Sequence, residues 1–376
     1  MKKQLLISLL LACSISIFAV DFGGTFGNTS TIADQTPDSG LKLDQKNFIT
    51  AWLKIPFSFA EESSLLLQGK YQFERDFAVS ENYNAVDADF VKFSFKTAGF
   101  AFDIGRFPVS DISNMIFTQS ADGLKFSYNN NSLQTSFYGF YTGLLNSQFT
   151  TILDDDFVED KTKVYDLCPA FMIFGANVNL PYLFKEQSLC LEGIFTSKLK
   201  ENSNVKAYGT FAMNGPLDSS LFYNLSTSLS FSNYDNSGIE IGNLTQAQII
   251  YYLDFYSSSV SFNSVYASGN NGSLKPFKGF TSQTAVNSLT SWEYCNLFKN
   301  GLSFSIKPVE NIFAKCSFDV VINASNSFEY AGILPAVSVN YQIVSDVFIG
   351  ADASFFVAND SANSKNEIVV RAAISF

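Results

Sequence analysis

The stretch SLLLQGKYQFERDF, residues 64–77, alternates apolar and polar side chains with a period of two. One face of an extended chain carries Leu65, Leu67, Gly69, Tyr71 and Phe73, and the other carries Leu66, Gln68, Lys70, Gln72, Glu74 and Asp76. Only a β-strand sorts neighbours in this way, because its successive side chains point to opposite sides. One of these faces suits lipid and the other suits water.

The same alternation recurs along the chain, for example in residues 48–59 and 221–232. Short turns, as at 60–62, 97–99 and 181–186, alternate with longer polar connections, as at 107–121, 146–163 and 269–300. Barrels that cross an outer membrane are connected in this way, with short periplasmic turns and long extracellular loops. The sequence therefore predicts an all-β fold, a transmembrane antiparallel up-and-down β-barrel of about 18 strands. Sixteen strands are within the error of the count, since residues 20–30 and 288–298 are ambiguous.

The composition excludes several classes of function. The chain has 376 residues, a net charge of −11, 40 Phe and no His. Such acidity argues against nucleic-acid binding, which needs clustered Lys and Arg. Without His there is no Ser-His-Asp triad, His general base or imidazole metal ligand. We therefore expect no enzyme.

The first residues predict export. Lys2 and Lys3 precede an apolar run, and small residues end at Ala19. This pattern is typical of a cleaved signal peptide over residues 1–19, which leaves 20–376 as a single barrel domain. The run that ends at Cys13 also looks like a lipobox, which would place a lipid on that residue. No later stretch is long and apolar enough for a transmembrane helix.

A secreted soluble sandwich or propeller would also alternate. The abundance of Phe and the alternating connection lengths favour the barrel. Aromatic residues also cluster at the ends of strands beside the short turns, including Tyr182, Phe184, Phe255, Tyr256 and Tyr341. Such rings prefer the headgroup level of a bilayer, where they form an aromatic girdle.

Residues 367–376 read EIVVRAAISF, with Ile368, Val370, Ala372, Ile374 and Phe376 on one face. This segment resembles the closing strand of Gram-negative outer-membrane barrels of the porin type. The resemblance implies an outer-membrane location, contact with outer-membrane lipid, and recognition of Phe376 by the barrel-assembly machinery. A weaker resemblance, to substrate-selective and alginate-export-type porins of about eighteen strands, rests on Ile104-Gly105-Arg106, Asp122-Gly123-Leu124 and Ala267-Ser268-Gly269. Related porins are often trimers and alginate-export channels are monomers, so the resemblance allows a homo-oligomer but does not decide the oligomeric state.

Charged residues on the polar faces are the candidates for the pore lining. The predicted pore-lining residues are Lys54, Lys70, Glu74, Asp76, Lys92, Lys96, Asp103, Lys125, Lys315 and Arg371. Charges that face each other across a bore filter solutes. The sharpest local hypothesis is a basic strip of Lys92 and Lys96, with Lys70 and Lys54 on the preceding strands, opposed by Asp103 and Asp76. Alternatively, these charges solvate a wide bore or pair within the wall.

The connection 107–121 is third among the predicted extracellular loops. It carries Asp111, Met115, Ile116 and Phe117, with a single charge. In the porins that this chain resembles, that loop folds inward and narrows the bore. An apolar loop is also better placed inside the barrel than in water. We expect a constriction there, with packing against the wall or a neighbouring subunit as the alternative.

The acidic run Asp154-Asp155-Asp156 with Glu159 and Asp160 lacks the spacing of a calcium loop. We expect no metal and no cofactor. The leading hypothesis is a porin that lets small hydrophilic solutes diffuse through a water-filled lumen. The alternatives are a surface adhesin or structural barrel that binds ligands through its acidic loops, and a transporter of hydrophobic substrates of the fatty-acid type.

Overall fold

The computed structural model describes residues 20–34, 41–58, 60–78, 80–154, 157–199, 205–233, 238–270, 273–281, 293–325, 328–360 and 363–376. The expected signal peptide at residues 1–19 lies outside the described residues, as do Asp155 and Asp156 of the acidic run.

The described chain forms one sheet of 18 strands. The strands are β1 (Asp21–Asp34), β2 (Leu41–Phe57), β3 (Glu62–Asp76), β4 (Glu81–Thr97), β5 (Phe100–Ser110), β6 (Thr118–Asn129), β7 (Gln134–Tyr141), β8 (Phe171–Phe184), β9 (Gln187–Lys198), β10 (Val205–Pro216), β11 (Leu221–Asn233), β12 (Ile239–Leu253), β13 (Ser258–Ala267), β14 (Leu297–Val309), β15 (Ile312–Asn323), β16 (Glu329–Val344), β17 (Val347–Ala358) and β18 (Lys365–Ser375). A short 3-10 helix spans Ser147–Phe149. The prediction of about eighteen strands is confirmed.

The sheet closes on itself. Every strand pairs antiparallel with the next in the chain, and β1 pairs with β18 from Thr25↔Ser375 to Asp34↔Asn366. Closure leaves no edge strand in the sheet, and a strand in lipid requires this because no water is there to satisfy its backbone. The last residue takes part: the amide of Phe376 donates to the carbonyl of Gly24 at 3.0 Å, and the amide of Gly24 donates back at 2.9 Å.

The two faces of the wall differ as the alternation predicts. Large apolar side chains point outward on neighbouring strands, with Ile104, Leu124 and Phe137 each more than half exposed. The opposite face carries the lysines and carboxylates described below. The outer face is thus a band of apolar side chains around the barrel, the kind of surface that suits lipid.

The strands are longer than the sequence pattern indicates. β8 continues through Pro181 to Phe184, so the predicted turn at 181–186 is only the two residues 185–186. β5 and β6 likewise extend into the predicted loop 107–121 and leave only 111–117 unpaired. The extension of β8 is irregular, since its register with β9 shifts between Leu180 and Phe184. The extensions of β5 and β6 pair regularly up to Ser110↔Thr118, because the hydrogen bonds of the ladder come from the backbone. Of the ambiguous segment 288–298, only Leu297 and Phe298 belong to a strand among the described residues.

One part of the wall is not closed by strand pairing alone. β4 and β5 pair only from Val91↔Arg106 to Thr97↔Phe100, so the first half of β4 has no partner in β5. The amide of Val86 in that half instead donates to the carbonyl of Val164, 3.2 Å away, in the connection between β7 and β8. A loop therefore completes the wall between β4 and β5.

Three connections lie at the end of the barrel away from the termini and are named here by their order. L3 is residues 111–117, L4 is residues 142–170, and L7 is residues 268–296, of which 268–270, 273–281 and 293–296 are described. Part of the inner face is buried beneath them. The buried apolar cluster there includes Phe107, Phe117, Tyr138, Phe140, Phe171, Tyr208, Phe277 and Phe280.

Candidate functional site

L3 is a compact turn built around Asp111. This carboxylate is only 1% exposed, and its Oδ1 accepts from the amides of Ile116 at 3.0 Å and Phe117 at 2.8 Å. Its Oδ2 accepts from the amide of Ser113 at 2.8 Å. Charge-assisted hydrogen bonds of this kind fix a loop without a helix or strand. Met115, Ile116 and Phe117 are thereby held out of solvent.

A second carboxylate joins L3 to the wall. Glu192 of β9 is buried, and its Oε2 accepts from the amide of Ile112 at 2.8 Å. Its Oε1 accepts from the hydroxyl of Tyr138 at 3.0 Å. Because L3 follows β5 and Glu192 belongs to β9, this contact ties the loop to strands on another part of the wall.

L7 packs directly on L3. The amides of Phe280 and Thr281 both donate to the carbonyl of Ile116, at 2.9 and 3.0 Å. The Phe280 ring, 1% exposed, meets Phe117 at 5.5 Å and Phe171 at 5.2 Å between centroids, both edge to face. This is the geometry that aromatic pairs favour in a core.

L4 contributes the third side of this arrangement. The amide of Leu153 donates to the carbonyl of Phe280 at 3.0 Å, and Ile152 forms an isolated bridge with Thr281. The ring of Phe149 lies 4.5 Å from the Lys70 ammonium, a cation–π contact on the inner face of β3. We call the meeting point of Ile116, Leu153 and Phe280 the loop junction.

The predicted pore-lining residues share the inner face of the barrel, opposite the outward apolar side chains. Glu74 pairs with Lys46 at 3.1 Å, and Asp76 pairs with Lys42 at 3.1 Å. Lys96 pairs with Glu62, and Arg371 pairs with Asp352. Lys315 of β15 lies in register with Ser305 and Ser338 on its two neighbours. Several of these charges are therefore neutralised by a partner on the adjacent strand.

Of the four lysines that the sequence groups into a strip, Lys96 pairs with Glu62 and Lys70 lies over Phe149, while Lys54 and Lys92 stay together and are joined by Lys125, which the hypothesis did not include. In the strand register Lys54 is opposite Leu66, and Leu66 is opposite Lys92, so the two lysines are at one level of the wall. Lys92 reaches Asp103 at 3.2 Å, and Asp103 is in turn opposite Lys125. We call Lys54, Lys92 and Lys125 the basic strip. It holds three cations, with Asp103 beside Lys92 and Lys125 and with Glu62 near Lys54. The other carboxylate predicted to oppose the strip, Asp76, instead pairs with Lys42. Asp44 pairs with the same lysine.

Arg106 was missed as a site residue, although its sequence context was informative. It and Asp122 belong to the two short motifs of the weaker resemblance, and they are register partners across β5 and β6. Its guanidinium binds Asp122 through two hydrogen bonds of 2.9 and 2.8 Å and Asp87 through one of 2.8 Å. Position 106 has the parity of the outward apolar residues, so alternation alone assigns it to lipid.

The acidic run of L4 makes salt bridges. Asp154 pairs with Lys198 of β9 at 2.8 Å, and Lys163 pairs with Asp160 and Asp166 at 3.3 and 2.9 Å. Hydrogen bonds from Thr162 and Lys163 lower the pKa of Asp160, and Lys163 lowers the pKa of Asp166. The ion pairs of Lys163 with Asp160 and Asp166 fold this part of L4 back on itself.

Comparison with known proteins finds similar structures but no similar sequences. No family model matches the chain, and no curated protein matches it. Among solved structures, OccK2 (OpdF) of Pseudomonas aeruginosa, in complex with glucuronate, matches with a TM-score of 0.67 and 12% identity over 95% of this chain and 98% of that chain. OpdQ of Pseudomonas aeruginosa matches with a TM-score of 0.66 and 10% identity over 96% and 99% of the two chains.

The outer membrane protein OpdK of Pseudomonas aeruginosa matches with a TM-score of 0.61 and 10% identity over 95% and 99% of the two chains. Coverage of nearly the whole length on both sides means that the entire barrel is shared. At identities this low the likeness shows the fold, which is that of an eighteen-stranded outer-membrane barrel. Residue roles are not transferred by it.

Proposed function

We propose that this chain is an outer-membrane porin that lets small hydrophilic solutes diffuse through its lumen. The observation that carries the proposal is the closed barrel with an apolar outer face and a charged inner face that includes the basic strip. An inner face of this kind favours water and polar solutes, because an apolar solute gains nothing from lysines and carboxylates.

The loop junction supports a narrowed passage. Buried aromatic side chains of L3 and L7 and the backbone of L4 occupy inner space that would otherwise be open. Solutes would pass between this junction and the charged wall of β2 to β6. Diffusion needs no chemical step, and the proposal includes no enzyme activity.

Small anions that carry a carboxylate are the preferred solute class. The three lysines of the basic strip outnumber the carboxylates near them, Asp103 and Glu62, and Glu62 already pairs with Lys96. The strip is therefore positive, and a positive wall raises the local concentration of anions. Structures of two proteins with this fold, OccK2 and OpdK, hold the carboxylates glucuronate and vanillate. Export by a cleaved signal peptide, insertion by the assembly machinery through Phe376 and assembly into a homo-oligomer are part of the same proposal.

The test is single-channel recording of the refolded mature protein in a planar bilayer, with reversal potentials in a salt gradient. Discrete conductance steps and a preference for anions are expected. Lys92→Glu should move the reversal potential toward cation selectivity, because it turns the Lys92–Asp103 pair into two like charges. A silent protein that is folded and inserted would contradict the porin.

The matched control is Lys185→Glu. Lys185 lies in the turn between β8 and β9, where its ammonium rests over the Phe184 ring. The same change of charge there should leave selectivity unchanged. An equal shift in both variants would mean that total charge, and not the basic strip, sets the selectivity.

A further inference from the structure

Arg106 is the most completely bonded charged side chain of the loop end of the barrel. Besides Asp122 and Asp87, its Nη2 donates to the carbonyl of Leu144 at 2.8 Å and its Nη1 to the carbonyl of Ala88 at 3.3 Å. The side chains of Arg106 and Asp87 are 8% and 5% exposed. A guanidinium has five donors in a rigid planar fork, which is what allows one side chain to bind several partners at once.

The partners of Arg106 lie on separate parts of the chain. Asp87 and Ala88 belong to β4, Asp122 belongs to β6, and Leu144 belongs to L4. These are the segments that meet where β4 and β5 no longer pair. Arg106 thus fills the seam in the wall and fastens L4 across it.

Neighbouring contacts seat L4 along the same seam. Asn146 is fully buried, and its amide nitrogen donates to the carbonyls of Val86 at 2.8 Å and Val164 at 3.0 Å. The Tyr165 hydroxyl donates to the carbonyl of Leu144 at 2.5 Å. Both ends of L4 are therefore held against β4, and its middle extends from there to the loop junction.

We infer that Arg106 is a positioning residue for the constriction, an inference that rests on the proposed porin function. By fastening L4 to β4 and β6, it holds Leu153 where its amide reaches Phe280, and so keeps L7 and L3 in the lumen. Without Arg106 the buried carboxylate of Asp87 and the partly buried carboxylate of Asp122 lose the cation that joins them, so they repel each other and draw in water. L4 then leaves the seam, and the loop junction loosens while the strand ladder persists.

The variants are Arg106→Ala, Arg106→Lys and the control Arg75→Ala. Arg75 lies at the same end of the barrel on β3, where its guanidinium stacks on Phe77 at 4.6 Å and is exposed. Single-channel recording should give Arg106→Ala an open conductance about two-fold larger than the parent, with frequent fluctuations. Arg106→Lys keeps the charge but not the planar fork of donors, so its open conductance should lie between those of the parent and Arg106→Ala. Arg75→Ala should equal the parent.

A second measurement, the rate of proteolysis, reports whether L4 is released and needs no ion current. Trypsin added to proteoliposomes cuts after exposed lysines, and Lys161 and Lys163 lie in L4. Cleavage there should be about ten-fold faster in Arg106→Ala than in the parent and in Arg75→Ala, because a released loop is the better protease substrate. Heat-modifiable migration on a gel confirms that each variant still forms a barrel.

The outcomes separate the two proposals. If the parent conducts but Arg106→Ala has the same conductance and the same cleavage rate, the positioning role is wrong. If the parent is silent, the porin function fails, and the cleavage rates alone decide whether Arg106 fastens L4. A variant that forms no barrel would overturn the inference as well, since Arg106 would then be needed for the wall and not for the loop.

Discussion

The inner face of the barrel has two unlike regions. From β2 to β6, in the half beside the short turns, it carries charged side chains such as Lys92, Asp103 and Lys125. From β7 to β10, towards the loops, it carries buried aromatic and aliphatic side chains such as Phe140, Phe171 and Ile194. Both regions have the same strand geometry. The difference teaches that strand geometry alone does not decide the character of an inward residue: charged side chains predominate where the lumen stays wet, and apolar ones predominate where loops cover the wall.

The buried region is a hydrophobic core made by loops. Its inward side chains do not face each other across the bore but pack against L3 and L7. A membrane barrel needs no such core for its wall, which backbone hydrogen bonds hold together. The core instead keeps the loops inside, so its loss should affect passage more than folding of the barrel.

The largest expected effect comes from Phe280→Ala. This change removes a fully buried ring from between Phe117 and Phe171, a loss of about 3–5 kcal/mol for a core aromatic. L7 should leave the junction, and the open-channel conductance should rise while the barrel still resists detergent at room temperature. Conductance recording and heat-modifiable gel migration test both parts.

Phe174→Ala is the matched control for that prediction. Phe174 lies on β8 but points outward and is half exposed. Its loss should leave conductance unchanged. Equal conductance of the Phe280 variant and the parent would show that the core does not restrict the bore.

A smaller effect is expected from the wet region. Lys125→Glu should shift the reversal potential toward cations by about 10 mV or more, since it removes the excess positive charge of the basic strip. Lys96→Glu should shift it less, because Lys96 and Glu62 have side chains that are 55% and 70% exposed and are screened by salt. Measurement of both at two salt concentrations separates the sites. An equal shift would contradict the assignment of selectivity to the basic strip.

The link between L3 and the wall gives the next prediction. Glu192→Leu leaves the amide of Ile112 and the hydroxyl of Tyr138 without their acceptor, at a cost of about 1–3 kcal/mol for each buried group. Glu192→Gln retains an acceptor and a shape that fits, so it should be milder. Current noise should increase in the order parent, Gln variant, Leu variant. The reverse order of the two variants would mean that the charge of Glu192, and not its hydrogen bonds, holds L3.

The smallest effect concerns a thiol of L4. Burial raises the pKa of Cys168 to about 11, and its Sγ lies 2.8 Å from the Thr150 hydroxyl. At pH 8 it should hold about 100-fold less thiolate than an ordinary thiol and react correspondingly slowly with a maleimide. Because the thiolate is the deprotonated form, the rate should rise with pH up to about the pKa. The maleimide reaction rate is measured on a variant in which Cys190, Cys295 and Cys316 are changed to Ser, once with the protein folded and once in denaturant. Equal rates in the two states would place Cys168 outside the packed loop.

The strand pattern of this barrel was readable from sequence, and its loop contacts were not. Alternation in residues 64–77 gives β3 and the sorting of Lys70 to the inner face, because a period of two depends only on neighbours in the chain. It fails at Arg106, whose parity indicates lipid but whose guanidinium is covered by L4. It also misses Phe280, since nothing local distinguishes a loop residue that packs on L3 from one in solvent.

The sequence by itself determined the approximate number of strands, the closed antiparallel order, the apolar outer face and the inward position of the candidate pore-lining lysines. These follow from short-range periodicity and from the lengths of the connections. Only the tertiary structure decided that L3, L4 and L7 meet inside the barrel, that Arg106 joins β4, β6 and L4, and that Asp103 rather than Asp76 faces the basic strip. Such contacts join residues far apart in the chain, and they depend on how the barrel curves and how its loops pack.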